Sequence, residues 1–228
     1  MALYEEDTSP SGDIVFSDWN FALKFGPYLP AIDSEPGLMP IEAGKGPYEM
    51  MFGGSSLMTI LEIERFFLWN VGQLGVAGSF GFFSDSAHAF AQDAAGIPDY
   101  TMRAEGDETS FNLLPMSLSV VYRFTTLADR TVVPIVPYGK LGLAYYIWWI
   151  TKGDGAVSSV VESDGSTNDA SGGTFGWQAT LGVSVRADMF DPRAAQNLRA
   201  DYGVEHAGFF VELLWAEVSG LGAARKLI

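Results

Sequence analysis

The stretch VPIVPYGKLGLAYYIWWIT, Val133 to Thr151, decides the fold. Leu141, Leu143, Tyr145, Ile147 and Trp149 take every second position, with Lys140, Gly142, Ala144, Tyr146 and Trp148 between them. Side chains two apart share one face of an extended chain, so this segment sets a bulky apolar face against one that is small, charged or aromatic. A strand that crosses a bilayer needs about 9 to 11 residues and carries aromatic side chains where its ends meet the headgroups. Tyr145 and the Trp148/Trp149 pair would supply these, and the segment is expected to be a transmembrane β-strand.

Six other segments repeat the pattern. Residues 14–26 place Trp19, Phe21, Leu23 and Phe25 opposite Lys24 and Gly26. Residues 56–66 place Leu57, Leu61 and Ile63 opposite Glu62 and Glu64, and residues 71–83 alternate Leu74, Val76, Phe80 and Phe82 with Gly75, Ala77, Ser79 and Gly81. In 111–124, Leu114 to Phe124 oppose Ser117, Ser119 and Arg123, with Pro115 weakening the start. Residues 174–188 set Phe175, Trp177, Leu181 and Val183 against Gly176, Gln178, Thr180 and Arg186, and 207–218 set Phe209, Val211, Leu213 and Trp215 against Glu212. Residues 1–13 read as a polar tail and 14–228 as one domain. Asp191-Pro192 followed by AAQNLRA and Gly203 predicts one short helix near 192–202, since Asp caps, Pro suits the first turn and Gly ends it.

Composition narrows the class. A chain of 228 residues suits one barrel, and it contains no run of the ~18 apolar residues that a membrane helix requires. The net charge of −15, with scattered Lys and Arg, argues against nucleic acid. The absence of cysteine excludes disulfides and thiol chemistry. The start, MALYEEDTSPSGD, has neither the basic nor the apolar region of a signal peptide, so an exported protein would carry this numbering after processing.

Alternation alone does not say which face is inside. A soluble sandwich or ligand-carrying barrel turns its bulky face inward. Here the opposite face is largely Gly, Ala and Ser with single charges, a poor solvent surface but a suitable lining for a narrow lumen. Long connections (27–54, 84–109, 152–173) alternate with short ones (FLWN, TLADRT), as in barrels with turns on the periplasmic side and loops outside. The expected fold is thus all-β, an antiparallel up-and-down transmembrane β-barrel of about eight strands with the short helix on the periplasmic side. Seven strands are visible, whereas bacterial single-chain barrels have even numbers. Truncation, a closing strand from another chain, or a miscount in the first 60 residues would account for the eighth.

The segments FALKFGPYLPAID (21–33), PYEMMFGG (47–54), NLLPMSLSVVYRF (112–124) and VPYGKLGLAYYIWW (136–149) resemble the small bacterial outer-membrane β-barrels, most closely an uncharacterised family of myxobacterial type. The resemblance implies an outer-membrane location, a further strand after the last loop, and no established activity.

Lys24, Glu62, Glu64, Arg123, Lys140, Arg186 and Glu212 share the expected lumen face and should form a salt-bridged network that plugs a narrow barrel, because unpaired buried charge is costly. Trp19, Tyr145, Trp148, Trp149, Trp177 and Trp215 form the expected aromatic girdle. Ser84, Asp85, Ser86 and His88 cluster at a strand end, but sequence proximity does not make a catalytic pair, and no catalytic residue is assigned. His206 beside Glu205 reads as a helix-end residue. Acidic loop residues (Glu35, Glu42, Asp99, Glu105, Asp107, Glu108, Asp154, Glu162, Asp164, Asp169) lack the spacing of a calcium loop, and Gly53-Gly54 and Gly172-Gly173 precede strands rather than helices, so neither metal nor cofactor is expected. The expected partners are outer-membrane lipid and lipopolysaccharide and another outer-membrane or periplasmic protein. The expected role is a structural or interaction scaffold, ahead of a narrow porin-like channel and a rim-located lipid or peptide hydrolase.

Overall fold

The computed structural model describes residues 18–34, 44–93, 98–161 and 167–219. In chain order the strands are β1 (Trp19–Tyr28), β2 (Ser56–Trp69), β3 (Gln73–Gln92), β4 (Pro98–Arg123), β5 (Ile135–Lys152), β6 (Ser159–Val161), β7 (Thr167–Asp169), β8 (Ser171–Arg186) and β9 (Gly208–Glu217). Seven of them form one sheet in the order β1-β2-β3-β4-β5-β8-β9, while β6 and β7 make a separate ribbon. Each ladder is antiparallel and joins neighbours in the sheet, and the sheet curls into a half-barrel. No helix among the described residues is long and apolar enough to cross a membrane.

The side-chain period settles the facing. Phe21 (71% exposed), Leu61, Phe80, Leu118, Leu143, Leu181 and Phe209 (81%) point outward from the seven strands. The concave face carries Ala77, Ser119, Ala144, Gln178 and Thr180, all buried. Larger residues, Phe83, Phe111 and Tyr146 among them, fill the interior toward the long-loop end, while small ones at the middle of that face permit the curl. Gly142 is an instance: a Cβ there would fall on the Leu118 carbonyl oxygen and on Ser119 of the adjoining strand.

Three layers fill the interior. At the long-loop end, Met58, Phe83, Phe111, Leu113 and Tyr146 pack together around Tyr48. Tyr48 belongs to α1 (Pro47–Phe52), which folds back from the first long connection. Asp33, in a 3-10 turn at Ala31–Ser34, accepts from the Tyr48 and Glu49 amides at 2.7 and 2.8 Å and so satisfies the first turn of α1 from a distance in sequence. The Tyr48 hydroxyl donates to Asp85 at 2.9 Å. Burial, with the Asp85 carboxylate, pushes that phenol well above its ordinary pKa. The middle layer is charged, and Phe66, Ala77 and Val121 pack together toward the short-turn end, where a cavity of about 650 Å³ opens, lined in part by Asn20, Phe66, Gln73 and Arg123.

The connections differ from the expectation in three places. The expected loop 84–109 is mostly strand: β3 runs 20 residues and β4 26. Twenty residues at ~3.3 Å each reach about 65 Å, twice the ~30 Å of a bilayer core. Polar cross-strand pairs such as Ser86–Ser110, 2.7 Å between hydroxyls, continue the ladder where apolar alternation stops. The third expected loop contains the β6–β7 ribbon, and TLADRT forms α2 (Thr126–Arg130) rather than a bare turn. Pro115 lies within β4, where the ladder to β3 lapses between Phe80–Met116 and Phe83–Leu113. The expected helix is present as α3 (Pro192–Tyr202), with the Asp191 carboxylate accepting from the Arg193 and Ala194 amides and Gly203 left-handed at φ 67°. Residues 14–17 of the first expected strand, the tail 1–13 and residues 220–228 lie outside the described residues.

Gly142→Ala is expected to destabilise the protein by about 1–3 kcal/mol through this overpacking. Gly26→Ala, whose Cβ meets nothing within 4 Å, should stay within about 0.5 kcal/mol. Denaturant unfolding of both variants checks the difference.

Candidate functional site

Lys24, Glu62, Glu64 and Lys140 are each no more than 9% exposed. Strand alternation turns all four inward, and their partners come from five strands. Lys24 on β1 contacts Glu62 on β2 at 2.8 Å and Glu212 on β9 at 2.6 Å. Lys140 on β5 pairs with Glu62, with Glu64 at 2.9 Å and with Glu212 at 3.7 Å. Arg123 on β4 grips Glu64 Oε2 through Nη2 at 2.7 Å and Nε at 2.8 Å. Three carboxylates face three cations, so the formal charges cancel within the layer.

Neutral groups complete it. Asn20 donates to Glu64 at 3.0 Å and the Tyr138 hydroxyl to Glu212 at 2.9 Å. The Arg123 guanidinium sits 4.5 Å from the Tyr138 ring centre, a favourable cation–π position. Beside the charges, Gln178 donates to Ser117 at 2.8 Å and Ser117 pairs with Ser79 at 2.6 Å.

Strand tilt is what gathers these residues. The ladder row through Lys24 meets β3 at Gly81, and the row through Glu212 meets β3 at Gln73, eight residues away. Eight residues at ~3.3 Å, spread over six strand spacings of ~4.8 Å, bring the two to one height if the strands tilt by about 40°, within the range of closed barrels.

Six of the seven expected lumen charges therefore meet. Arg186 does not: it lies at the short-turn end of β8 and pairs with Asp129 of α2 at 2.7 Å. Of the aromatic set, Trp177 and Trp215 point outward on the half of their strands nearer the long loops, and Trp19 points outward at the short-turn end. The Tyr145 ring lies against Phe175 at a tilt of 40° with ring centres 4.4 Å apart, and Trp149 shares its parity. Trp148 does not belong to that set, because its even position turns it inward against the core layer and Gly172.

The Ser/His cluster is spread by the same alternation. Ser84 donates to Asn112 at 2.9 Å, Ser86 pairs with Ser110, and Asp85 faces the opposite side and takes Tyr48. Two-residue steps along a strand separate His88 from Ser86 by about 6.6 Å between α-carbons. The His88 carbonyl accepts from Arg103 at 2.8 Å. At the other end His206 contacts Asp188 at 2.9 Å, while Glu205 pairs with Arg199 at 2.6 Å. Of the acidic loop residues, Asp99 accepts from the Thr101 hydroxyl and amide, which hold its carboxyl below the usual range, and Asp154 accepts from the Ala156 amide. Glu35, Glu42, Glu162, Asp164 and the Asp107 side chain lie outside the described residues. No three His, Asp or Glu side chains among the described residues converge as metal ligands would.

Sequence reading missed several participants. Tyr138 stands two residues before Lys140 on the same face, a signal that was available. Asn20 shares the face of Lys24 in the same way. Arg103 had no such signal: it donates to the carbonyls of Met50 and Met51 at the end of α1, at 2.8 and 3.1 Å, across 53 and 52 residues of chain. Comparison with known proteins returns no matching family model, curated protein or solved structure, so function must be argued from this chain's own residues.

Replacing Lys140 by Met leaves three buried carboxylates with two cations and should cost about 3–5 kcal/mol in denaturant unfolding. Arg186→Met, at a pair reaching solvent, should cost less than about 1 kcal/mol.

Proposed function

We propose that the chain is an outer-membrane β-barrel protein, a structural or interaction scaffold whose long connections face outward and whose lumen is filled. One observation carries this reading: apart from Arg65 and Glu217 the convex face of the sheet is apolar on every strand, while Lys24, Glu62, Glu64, Arg123, Lys140 and Glu212 turn to the concave face. A water-soluble monomer rarely exposes a continuous apolar surface of this extent, and a soluble barrel keeps its bulky side chains inside. Lipid is the solvent that such a face suits. The partners of the reading are outer-membrane lipid and lipopolysaccharide around the belt, and another outer-membrane or periplasmic protein at an end or edge.

The interior favours a scaffold over a pore. A narrow barrel is just wide enough to be filled by side chains. The charge layer is mutually paired and α1 inserts Tyr48 above it, so a hydrated path would have to break several buried ion pairs together. Planar-bilayer recording of the purified protein tests this: the expected result is no large, steady conductance, and open channels of that kind would overturn the filled lumen.

Leu143, 59% exposed, is the test of the surroundings. In mid-bilayer Leu143→Arg should destabilise by about 2–4 kcal/mol. An exposed site in water would tolerate it within about 0.5 kcal/mol. Unfolding from vesicles, together with heat-modifiable migration of the wild type on gels, separates the two.

A further inference from the structure

The cavity of about 650 Å³ at the short-turn end spreads across the concave face from β1 to β9 and is bordered by residues 202–208, where α3 ends. Phe66 and Val136, each 3% exposed, give it apolar ground. A space of this size, mostly apolar with a few placed polar groups, is what a small ligand needs.

Three of those polar groups are left with unused hydrogen-bonding capacity. Thr125 is the N-cap residue of α2, yet its hydroxyl makes no capping hydrogen bond, although the residue is only 6% exposed and lines the cavity. A buried hydroxyl without a partner costs free energy, and a ligand that supplied one would recover it. Glu64 fixes the other two. A carboxylate only accepts, so Asn20 turns its amide nitrogen to Glu64 Oε2 at 3.0 Å and leaves its carbonyl oxygen free to accept. Arg123 gives Nε and Nη2 to the same oxygen at 2.8 and 2.7 Å and keeps Nη1 as a donor. Both residues line the cavity, so one anchored carboxylate sets an acceptor next to a donor there.

Charge narrows the class of ligand. Of the lining cations, Arg123 is matched by Glu64, Arg186 by Asp129 at 2.7 Å, and His206 contacts Asp188 at 2.9 Å. Of the lining acids, Glu205 is held by Arg199 at 2.6 Å and Asp18 is exposed. An ion entering this site would lose hydration with no opposite charge left to compensate it.

We propose that the cavity binds a small neutral molecule with an apolar body and a carboxamide-type head. The carbonyl oxygen of the head accepts from Arg123 Nη1 and the Thr125 hydroxyl, its N–H donates to the Asn20 carbonyl oxygen, and the body lies against Phe66 and Val136. These groups lie on the concave face and beside α2, so the proposal does not rest on the membrane reading.

Fluorine NMR of 4-fluorobenzamide with the full chain tests it. The expected result is saturable binding with a Kd of about 1 mM or tighter. Thr125→Val, which keeps the side-chain shape and removes the hydroxyl, should weaken it by about three- to tenfold. The charged counterpart 4-fluorobenzoate should bind about tenfold more weakly than the amide, or less well still. Absence of saturable binding, benzoate bound as tightly as benzamide, or unchanged affinity in Thr125→Val each overturns the proposal. Should Thr125→Val fail to fold, the comparison of amide and acid on the wild type decides alone. A protein that is folded and monodisperse without detergent counts against the membrane reading only, and the binding comparison is then made in water with the same expected outcomes.

Discussion

Charges buried inside a curled sheet remain ionised only where each finds an opposite charge, and Lys140 meets that condition with Glu62, Glu64 and Glu212 from two other strands. Those partners do not lie on the ladder row of Lys140, which runs through Val121 and Thr180. Stagger between strands is therefore part of the electrostatics: a flat or untilted sheet with the same register would leave Glu212 far from Lys24. The small residues of the concave face allow the curl, the curl brings the edges together, and the ion pairs favour that tilt over others. A buried ion pair gains little over an apolar pair of the same size, so the network is better understood as selecting one geometry than as the main source of stability.

The same constraint sorts the rest of the molecule. With the interior occupied by the charged layer and the aromatic cluster around Tyr48, the rest of the apolar bulk faces outward, which yields the apolar convex surface on which the proposed function rests. The aromatic layer at the long-loop end closes the charges off from one side, and Tyr48 is its keystone because it is held by two independent anchors. Asp33 fixes the start of its helix and Arg103 fixes the end, each from a distant segment. The extended β3–β4 hairpin thus has a structural use: it delivers Arg103 to the carbonyls of Met50 and Met51.

Much of this was legible because strands have a period of two. Leu141 and Leu143 against Lys140 and Ala144 gave the facing of β5, and the same rule put Glu62, Glu64 and Glu212 on the side where Lys140 finds them. Arg186 obeys the period yet stands too near the end of its strand, and height along a tilted strand is invisible to a face count. Trp148 shows a related error, since aromatic character suggested an interface while its parity turned it inward. Strand continuation past Ser84 was hidden because polar ladders have no hydrophobic signature, and Asp33 and Arg103 act over sequence distances that no local pattern encodes.

Under the proposed membrane location, bulky side chains meet lipid and the charged face does not, a difference read out by fluorescence quenching in vesicles of brominated lipid, using two variants that each retain one tryptophan, Trp215 or Trp148. Trp215, outward on β9, should be strongly quenched, and Trp148, packed inside against Gly172, should not. Equal quenching of the two, or no quenching of Trp215 in a protein that stays folded in water, would contradict a lipid-facing convex surface.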